Sequence, residues 1–319
     1  MNIANCIFKP LEFITGKIIG PPEIVVIETT NRCNLSCFMC YRLDWLNECG
    51  DMPLSLFKEI IKSLKHRPEQ IWCHGGGEPL MYPDICEAID YAYEKCRPKV
   101  LAISSNGTLL TRQMADNLAK TRLNWLNISI DGSDEDTYQR IRNTPLQPVI
   151  ENIKYFKSIS RIPVIINYTL MKNNIRSLLS LPELALSAGV DRINVQHIKL
   201  LGRQVKEERI TDGPSEFRRI RNIVRRKAQD YKIPCRVPRF PHPIHICILP
   251  FRQIYFNFKG QIAPCCIAIH LSLEKDFKDV NGINIREWRK RVIRGDFPAE
   301  CIKFCYVRNR RKIKWTEKI

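Results

Sequence analysis

The sequence predicts an α/β fold in which helices cover a parallel sheet that is either open or curled into a barrel. The first two thirds of the chain alternate short β-rich apolar runs with amphipathic helical stretches. The helical stretches are long enough to serve as crossovers between parallel strands. A chain of 319 residues with 44% hydrophobic residues can bury a sizeable core. In such sheets, ligand sites lie at the carboxyl ends of the strands.

Six strand-helix repeats account for this alternation. The predicted strands are residues 23–30, 70–74, 100–104, 125–130, 164–170 and 191–197. The clearest helical patterns between them are residues 54–65, 112–120 and 176–187.

The pattern changes in the last third of the chain. Residues 214–231 predict an amphipathic helix, and the proline-rich stretch 234–250 marks a boundary. Beyond it, residues 252–258 and 261–265 flank Lys259-Gly260, which is typical of a hairpin, and residues 285–293 predict a helix. We therefore expect an N-terminal extension (1–22), a core domain (23–230) and a small C-terminal domain (231–319).

Composition narrows the class of protein. No apolar run has the length of a membrane helix and the N-terminus lacks the order of a signal peptide, so we expect a cytoplasmic protein without a membrane span. In a reducing compartment, 14 cysteines indicate metal or iron-sulfur binding. The 51 basic residues against 33 acidic ones give a net charge of +18, which favours an anionic substrate or an acidic peptide over nucleic acid, for which no module is recognisable.

Three cysteines, Cys33, Cys37 and Cys40, lie within eight residues directly after the first predicted strand. A structural zinc requires four closed ligands, whereas three protein ligands leave one position open for chemistry. Thiolates also suit iron-sulfur clusters, and a cubane bound by three cysteines keeps one iron free. From the spacing alone, a zinc loop with Cys49 as fourth ligand and a set of buried free thiols remain alternatives.

This loop resembles the CxxxCxxC motif of the radical S-adenosylmethionine (SAM) superfamily, which follows the first strand in that family. Three later strand ends agree with the family in order: Gly76-Gly77-Glu78-Pro79 resembles its GGEP segment, Ser104-Ser105-Asn106-Gly107 its SNG element, and Ser129-Ile130-Asp131-Gly132 its SIDG element. Arg142 lies eleven residues after Asp131, where many members carry an arginine for the methionyl carboxylate. Met39 stands before the third cysteine, where an aromatic residue is common. The resemblance covers roughly residues 23–200.

The resemblance implies an incomplete (β/α)6 TIM-like barrel over the core domain. It also implies that Cys33, Cys37 and Cys40 hold a catalytic [4Fe-4S] cluster. SAM on the free iron would accept an electron and be cleaved to methionine and a 5′-deoxyadenosyl radical, which abstracts a substrate hydrogen. The residues implied to bind SAM are Met39, Gly76, Gly77, Glu78, Pro79, Ser105, Asn106, Ser129, Asp131 and Arg142. An electron donor such as flavodoxin or ferredoxin is implied as a partner.

The physical chemistry of these residue types agrees with such roles. Glycines allow backbone groups to approach a zwitterionic ligand without an intervening Cβ atom. An arginine fork matches a carboxylate bidentately.

A second set of cysteines lies in the C-terminal domain. Cys247, Cys265, Cys301 and Cys305 supply four thiols, enough to close a [4Fe-4S] site. The C-x12-G-x4-C spacing from Cys247 to Cys265 resembles the opening of the SPASM extension, and the small number of cysteines resembles its single-cluster twitch version. This hairpin-plus-helix domain is therefore expected to hold an auxiliary cluster. The final CxxxC and the neighbouring Cys266 depart from the family pattern, and zinc with His242 and His245 remains an alternative.

These expectations define a radical SAM enzyme that acts on an unidentified substrate, with net oxidation assisted by the auxiliary cluster. Such oxidation includes dehydrogenation and the modification of a peptide or a small molecule. A redox-neutral or cyclising enzyme for a nucleotide or cofactor precursor is the alternative within the family. A zinc-containing protein that binds nucleic acid through its basic helix and tail is the alternative from another class.

Overall fold

The computed structural model describes residues 22–42, 48–64, 67–198, 205, 207, 208, 210, 214–239, 249–265, 283–294 and 296. Several residues singled out by the sequence lie outside this set, namely His242, His245, Cys247, Cys266, Cys301 and Cys305. Within the described part of the chain, no helix combines the length and the apolar character needed to cross a membrane.

Nine strands within the described residues form one sheet. They are β1 (Ile24–Ile27), β2 (Gln70–Cys73), β3 (Val100–Ser105), β4 (Trp125–Ser129), β5 (Val164–Leu170), β6 (Arg192–His197), β7 (Cys235–Arg236), β8 (Gln253–Phe256) and β9 (Ile262–Ala263). Their order is β7-β6-β5-β4-β3-β2-β1-β8-β9, and every neighbouring pair is parallel except the antiparallel pair β8 and β9. The consecutive parallel strands β1 to β6 confirm the predicted α/β fold of the partial TIM-barrel type.

Helices connect successive strands of the sheet. The α-helices of the described part are α1 (Leu54–Ser63), α2 (Ile85–Cys96), α3 (Arg112–Leu118), α4 (Glu135–Arg142), α5 (Gln147–Ile159), α6 (Leu181–Ser187), α7 (Pro214–Asp230), α8 (Leu249–Arg252) and α9 (Ile283–Ile293). In α1, the spacing of Phe57, Ile60 and Ile61 puts three apolar side chains on one face, and all three are buried.

The two faces of the sheet differ in chemistry because strand side chains alternate. In β4, Leu126 and Ile128 are fully buried in the main hydrophobic core that joins the sheet to the helices. Trp125, Asn127 and Ser129 point the other way and line an internal cavity. The helix-facing side is therefore a packed apolar core, whereas the inner side is largely polar and open.

Two predicted segments differ from the structure in instructive ways. Residues 176–187 do not form one helix but a 3-10 turn (Ser177–Ser180) followed by α6, in which Pro182 occupies the first turn. Proline lacks a backbone N–H and is tolerated only in the first turn, so the α-helix begins beside it. The predicted hairpin is present as β8 and β9, with Gly260 at a φ of +78° in its turn, but β8 also pairs in parallel with β1.

Candidate active site

A cavity of about 850 Å³ lies against the inner face of the sheet. Its lining combines inward side chains from most of the strands with the loops that follow β1, β2 and β3 and with Arg142 at the end of α4. Because these strands are parallel, the three loops meet at one end of the cavity. The three thiols of Cys33, Cys37 and Cys40 line that end.

The cysteine loop is fixed at its base by a set of hydrogen bonds. Asn31 Nδ2 donates to the Glu48 carbonyl at 2.7 Å, and Gly50 N donates to Asn31 Oδ1 at 2.7 Å. Arg32 Nε donates to Asp51 Oδ1 at 2.9 Å. These contacts tie both ends of residues 31–51 together, so the loop leaves β1 in a defined direction.

The three thiols share one electrostatic environment. All three cysteines are free of disulfides. Burial raises the pKa of Cys33 and of Cys40, and negative charge on Cys37 raises both further. Three thiolates that repel one another in a partly buried loop require positive charge to be stable together, which is what iron supplies.

The donor set fits an iron-sulfur cluster better than a single metal ion. In the described part of the chain, no three His, Cys, Asp or Glu side chains converge on one ion. Cys49 is exposed and does not line the cavity, so the closed four-cysteine zinc loop is not formed there. In a cubane, each thiolate binds a separate iron, and three thiols around one end of a cavity match that requirement.

The glycines after β2 allow a close approach between loops. A Cβ atom on Gly77 would lie 2.5 Å from the Thr30 carbonyl oxygen and would also meet the Arg32 carbonyl, and both are backbone atoms that cannot move aside. A Cβ atom on Gly75 would lie 2.6 Å from the side chain of Glu28. From the sequence we expected these glycines to let a ligand approach the backbone. Their Cβ positions show instead that the loops after β1 and β2 pack directly on each other.

Glu78 joins the β2 loop to the end of β3. Its buried carboxylate accepts hydrogen bonds from Leu80 N at 3.0 Å, Ser105 Oγ at 2.7 Å and Asn106 N at 2.6 Å. Burial raises the pKa of Glu78, and these three donors oppose that rise by favouring the charged form. Both carboxylate oxygens are thus occupied by protein donors, and Glu78 acts as a positioning residue.

Asp131 and Arg142 form a buried ion pair below the cysteine loop. Thr169 N donates to Asp131 Oδ1 at 2.6 Å, and Arg142 NH1 lies 3.7 Å from Cys37 Sγ. Burial alone would lower the pKa of Arg142, but the negative charges of Asp131 and Cys37 outweigh it and keep the guanidinium charged. Arg142 Nε is buried and makes no hydrogen bond within the described residues. This donor is available to an anionic group.

Most of the residues expected to bind SAM lie at the cavity. Those that line it are Met39, Gly76, Gly77, Glu78, Ser105, Asn106, Ser129 and Arg142. Pro79 and Asp131 do not line it. Pro79 is buried in a 3-10 turn behind Glu78, and Asp131 is fully buried beneath Arg142.

Two groups of residues at the site were not predicted from the sequence. Glu28, at the end of β1, is 4% exposed and accepts hydrogen bonds from Gly76 N at 2.6 Å and Tyr255 OH at 2.8 Å. The inner wall of the cavity was also missed. Its signal was visible in the alternation of polar residues along strands such as Arg192-Ile-Asn-Val-Gln196, which places every second side chain inside.

The second cysteine set is described in part. Cys265 is buried at 6% exposure and lies two residues after the end of β9. Its three expected partners, Cys247, Cys301 and Cys305, lie outside the described residues.

The fold and the site together define a partial (β/α) barrel with a three-thiol loop at the carboxyl end of its first strand. The sequence profile described as the Radical SAM superfamily matches residues 27–185. The chain belongs to this superfamily of enzymes.

Two curated relatives and one solved structure illustrate the similarity. The tungsten-containing aldehyde ferredoxin oxidoreductase cofactor-modifying protein of Pyrococcus furiosus is 27% identical over 282 residues, which cover 83% of this chain and 78% of that protein. The AdoMet-dependent heme synthase of Methanosarcina barkeri is 27% identical over 228 residues, which cover 70% of this chain and 64% of that protein. Streptococcus suis SuiB bound to its precursor peptide SuiA matches with a TM-score of 0.67 at 18% identity, over 86% of this chain and 69% of SuiB.

Proposed function

We propose that this protein cleaves SAM reductively at a [4Fe-4S] cluster on Cys33, Cys37 and Cys40 and abstracts a hydrogen atom from a substrate held in the barrel cavity. The observation that carries the proposal is the position of the three free thiols at one end of the 850 Å³ cavity. When bound and reduced, such a cluster supplies the electron that splits SAM into methionine and a 5′-deoxyadenosyl radical.

The residues around the thiols have defined tasks in this proposal. The backbone carbonyls of Gly76 and Gly77 accept no hydrogen bond within the described residues and are available to the methionyl ammonium group. The unpartnered Nε of Arg142 suits the methionyl carboxylate, and Asp131 holds the guanidinium in place. Met39 lines the cavity beside the thiols, where its thioether can pack against adenine.

We further propose that residues 231–319 form an auxiliary domain with a second [4Fe-4S] cluster on Cys247, Cys265, Cys301 and Cys305. Cys265 supports this as a buried cysteine at the end of a hairpin that continues the barrel sheet through β8 and β1. An auxiliary cluster would take one electron from the substrate radical, so that the product has lost one hydrogen atom and one electron and, after release of a proton, is oxidised by two electrons overall.

The substrate class is a small anionic molecule or a peptide. SuiB is similar in fold and was solved with a precursor peptide, which supports the peptide version. The similarity to a cofactor-modifying protein over 83% of this chain supports a second candidate, a redox-neutral or cyclising reaction on a cofactor precursor. The cytoplasmic location and a flavodoxin or ferredoxin donor belong to the proposal in either version.

Metal analysis tests the cluster assignments. The full chain, reconstituted anaerobically, is compared with a variant that combines Cys33→Ala, Cys37→Ala and Cys40→Ala. We expect about eight irons in the wild type and about four in the variant, one cubane being lost. A variant that retains zinc and no iron would contradict the auxiliary cluster, and zinc without iron in both proteins would favour a zinc-containing nucleic-acid-binding protein.

Activity provides the second test. Dithionite reduction of the wild type with SAM is expected to release 5′-deoxyadenosine, and the triple variant is expected to release none. The mass of the product separates the two reaction types, because oxidation removes two hydrogen atoms whereas a cyclising rearrangement leaves the mass unchanged.

A further inference from the structure

The end of the cavity remote from the thiols has its own chemistry. Trp72, Trp125, Arg192, Arg236 and Gln253 line it, and we call this group the floor. Trp125, Arg192 and Gln253 are the first residues of their strands, whereas the cysteine loop follows the last residue of β1. At about 3.3 Å per residue, the first and last residues of β4 are roughly 13 Å apart, so Trp125 lies far from the carboxyl end of β4.

Two indole rings form the apolar part of the floor. The strand register places Trp72 of β2 and Trp125 of β4 on either side of Ala102 in β3. Because the alanine side chain is small, the two rings approach each other across it, with centroids 6.5 Å apart and planes at 74°. The result is a pair of aromatic surfaces inside the barrel.

Two arginines form the cationic part of the floor. Arg192 Cζ lies 5.6 Å from the centroid of the Trp125 ring. Arg236 pairs with Asn194 on the neighbouring strand, two residues beyond Arg192 on the same face. Both arginine side chains are exposed to the cavity, and within the described residues neither makes an ion pair or a side-chain hydrogen bond.

Among the residues that the structure describes, the cavity has no acidic group free to neutralise these charges. Among the described residues that line it, Glu78 is the one carboxylate, and its oxygens already accept hydrogen bonds from Ser105 and Asn106. Arginines without carboxylate partners in a concave site focus a field that attracts anions. The floor therefore selects for negative charge in whatever enters the barrel.

Gln253 provides an independent indication of a ligand. Its side chain is 7% exposed and lines the cavity, yet its Nε2 has no hydrogen-bond partner within the described part of the chain. A buried amide donor without a partner is destabilising in the absence of a ligand. An oxyanion at the floor would satisfy this donor together with the two arginines.

We propose that the floor is a substrate subsite for an oxyanion group attached to an apolar or aromatic skeleton. Arg192, Arg236 and Gln253 bind the carboxylate or phosphate, and Trp72 and Trp125 pack against the adjoining carbon skeleton. This inference rests on the proposed function, because it assigns the substrate of the same cavity. It implies that the substrate is anionic at the end remote from the hydrogen atom that is abstracted.

Fragment binding tests the subsite directly. The anaerobically reconstituted full chain with SAM is titrated calorimetrically with benzoate, phenyl phosphate and the neutral benzyl alcohol at one ionic strength. We expect at least one of the two anions to bind with a dissociation constant of about 1 mM and no measurable binding of benzyl alcohol. The tighter of the two anions identifies the preferred oxyanion.

Three variants locate the binding. Arg192→Gln and Arg236→Gln are each expected to weaken the binding of the preferred anion about tenfold, since a charge-assisted hydrogen bond is lost. Arg122→Gln is the matched control, because Arg122 Cζ lies 5.7 Å from the Tyr93 ring but does not line the cavity. The affinity of Arg122→Gln for the preferred anion should equal that of the wild type. Thermal unfolding of each variant verifies that it is folded.

The outcomes separate this inference from the proposed function. Unchanged anion affinity in both cavity variants, equal binding of benzyl alcohol, or no binding of either anion would overturn the subsite. SAM cleavage by the wild type is measured separately as 5′-deoxyadenosine. A protein that binds anions through Arg192 and Arg236 but cleaves no SAM would support the subsite and contradict the proposed function.

Discussion

Tyr255 donates its hydroxyl hydrogen to Glu28 Oε1 at 2.8 Å, and this contact joins two residues that lie 227 positions apart in the chain. The same carboxylate accepts from Gly76 N at 2.6 Å and from Phe258 N at 3.2 Å. Glu28 thus connects β1, the glycine loop after β2 and the hairpin of β8 and β9. The C-terminal hairpin and the glycine loop, which lines the cavity, therefore share one buried carboxylate.

Tyr255→Phe tests the strength of this connection. The variant removes one donor from a buried carboxylate, so we expect the free energy of unfolding to fall by about 1.5–3 kcal/mol, the usual contribution of a hydrogen bond to a charged group. Urea denaturation of the reduced metal-free protein measures the change. Tyr82→Phe is the matched control, because the Tyr82 hydroxyl is buried without a hydrogen-bond partner in the described part of the chain. A loss as large in the control would contradict the role of Glu28.

Gly77→Ala tests whether the glycine loop is defined by packing between loops. The added Cβ would lie 2.5 Å from the Thr30 carbonyl oxygen, so backbone must move, and we expect a destabilisation of about 1–3 kcal/mol. Gly76→Ala is the control, because its Cβ would approach Glu28 Oε1 only to 3.1 Å, a side-chain atom that can shift. In urea denaturation, Gly77→Ala should lose more free energy of unfolding than Gly76→Ala. Equal losses would show that contact with backbone is not the reason for the glycine.

Much of the barrel was predictable because its signal is local. The strand at Val164–Leu170 was predicted with the bounds that the structure shows, since it is a continuous β-rich run between turn residues. The pairing of β8 with β1 could not be predicted, because the contact links residues more than 220 positions apart and leaves no periodic pattern. The pairing of β8 with β1 depends on tertiary packing.

The candidate site divides in the same way. The three thiols stand in a short motif and were singled out by their spacing, and the glycine loop was singled out by its resemblance to the GGEP segment. Glu28 was not, because a single glutamate in the first predicted strand looks like an ordinary exposed residue until its three donors are brought to it. The roles of Glu78 and Asp131 as positioning residues also depend on partners from other strands, which the sequence does not show.

Cys73 provides a test of burial by thiol chemistry. It is fully buried on β2, and burial raises its pKa from the ordinary value of 9.0 to about 12. The thiol therefore stays protonated in the folded protein, and the stability it contributes is complete below pH 9.0 and declines as the pH rises towards 12. We expect iodoacetamide at pH 8 to label exposed Cys49 and to spare Cys73 until urea unfolds the chain, as measured by peptide mass spectrometry. Rapid labelling of Cys73 in the folded protein would contradict its burial.

The Asp131–Arg142 pair offers a test that separates positioning from ligand binding. Arg142→Gln leaves Asp131 as an unpaired buried charge, so we expect a loss of about 3–5 kcal/mol in the free energy of unfolding. Adding Asp131→Asn removes that charge, and the double variant should regain at least about 1 kcal/mol relative to the sum of the single losses. The partly exposed pair Lys58–Glu87 is the control, and its coupling should stay below about 1 kcal/mol.

SAM binding by the same variants distinguishes a ligand contact of Arg142 from a purely structural role. Asp131→Asn keeps the guanidinium but removes the charge that orients it, whereas Arg142→Gln removes the donor itself. If Arg142 Nε binds the methionyl carboxylate, the dissociation constant for SAM rises about tenfold in Arg142→Gln. In the double variant this constant stays raised, although part of the lost free energy of unfolding is regained. Equilibrium dialysis with the reconstituted proteins measures this constant. Recovery of SAM affinity together with stability would show that Arg142 acts only by holding the fold, because a ligand contact cannot be regained once its donor is gone.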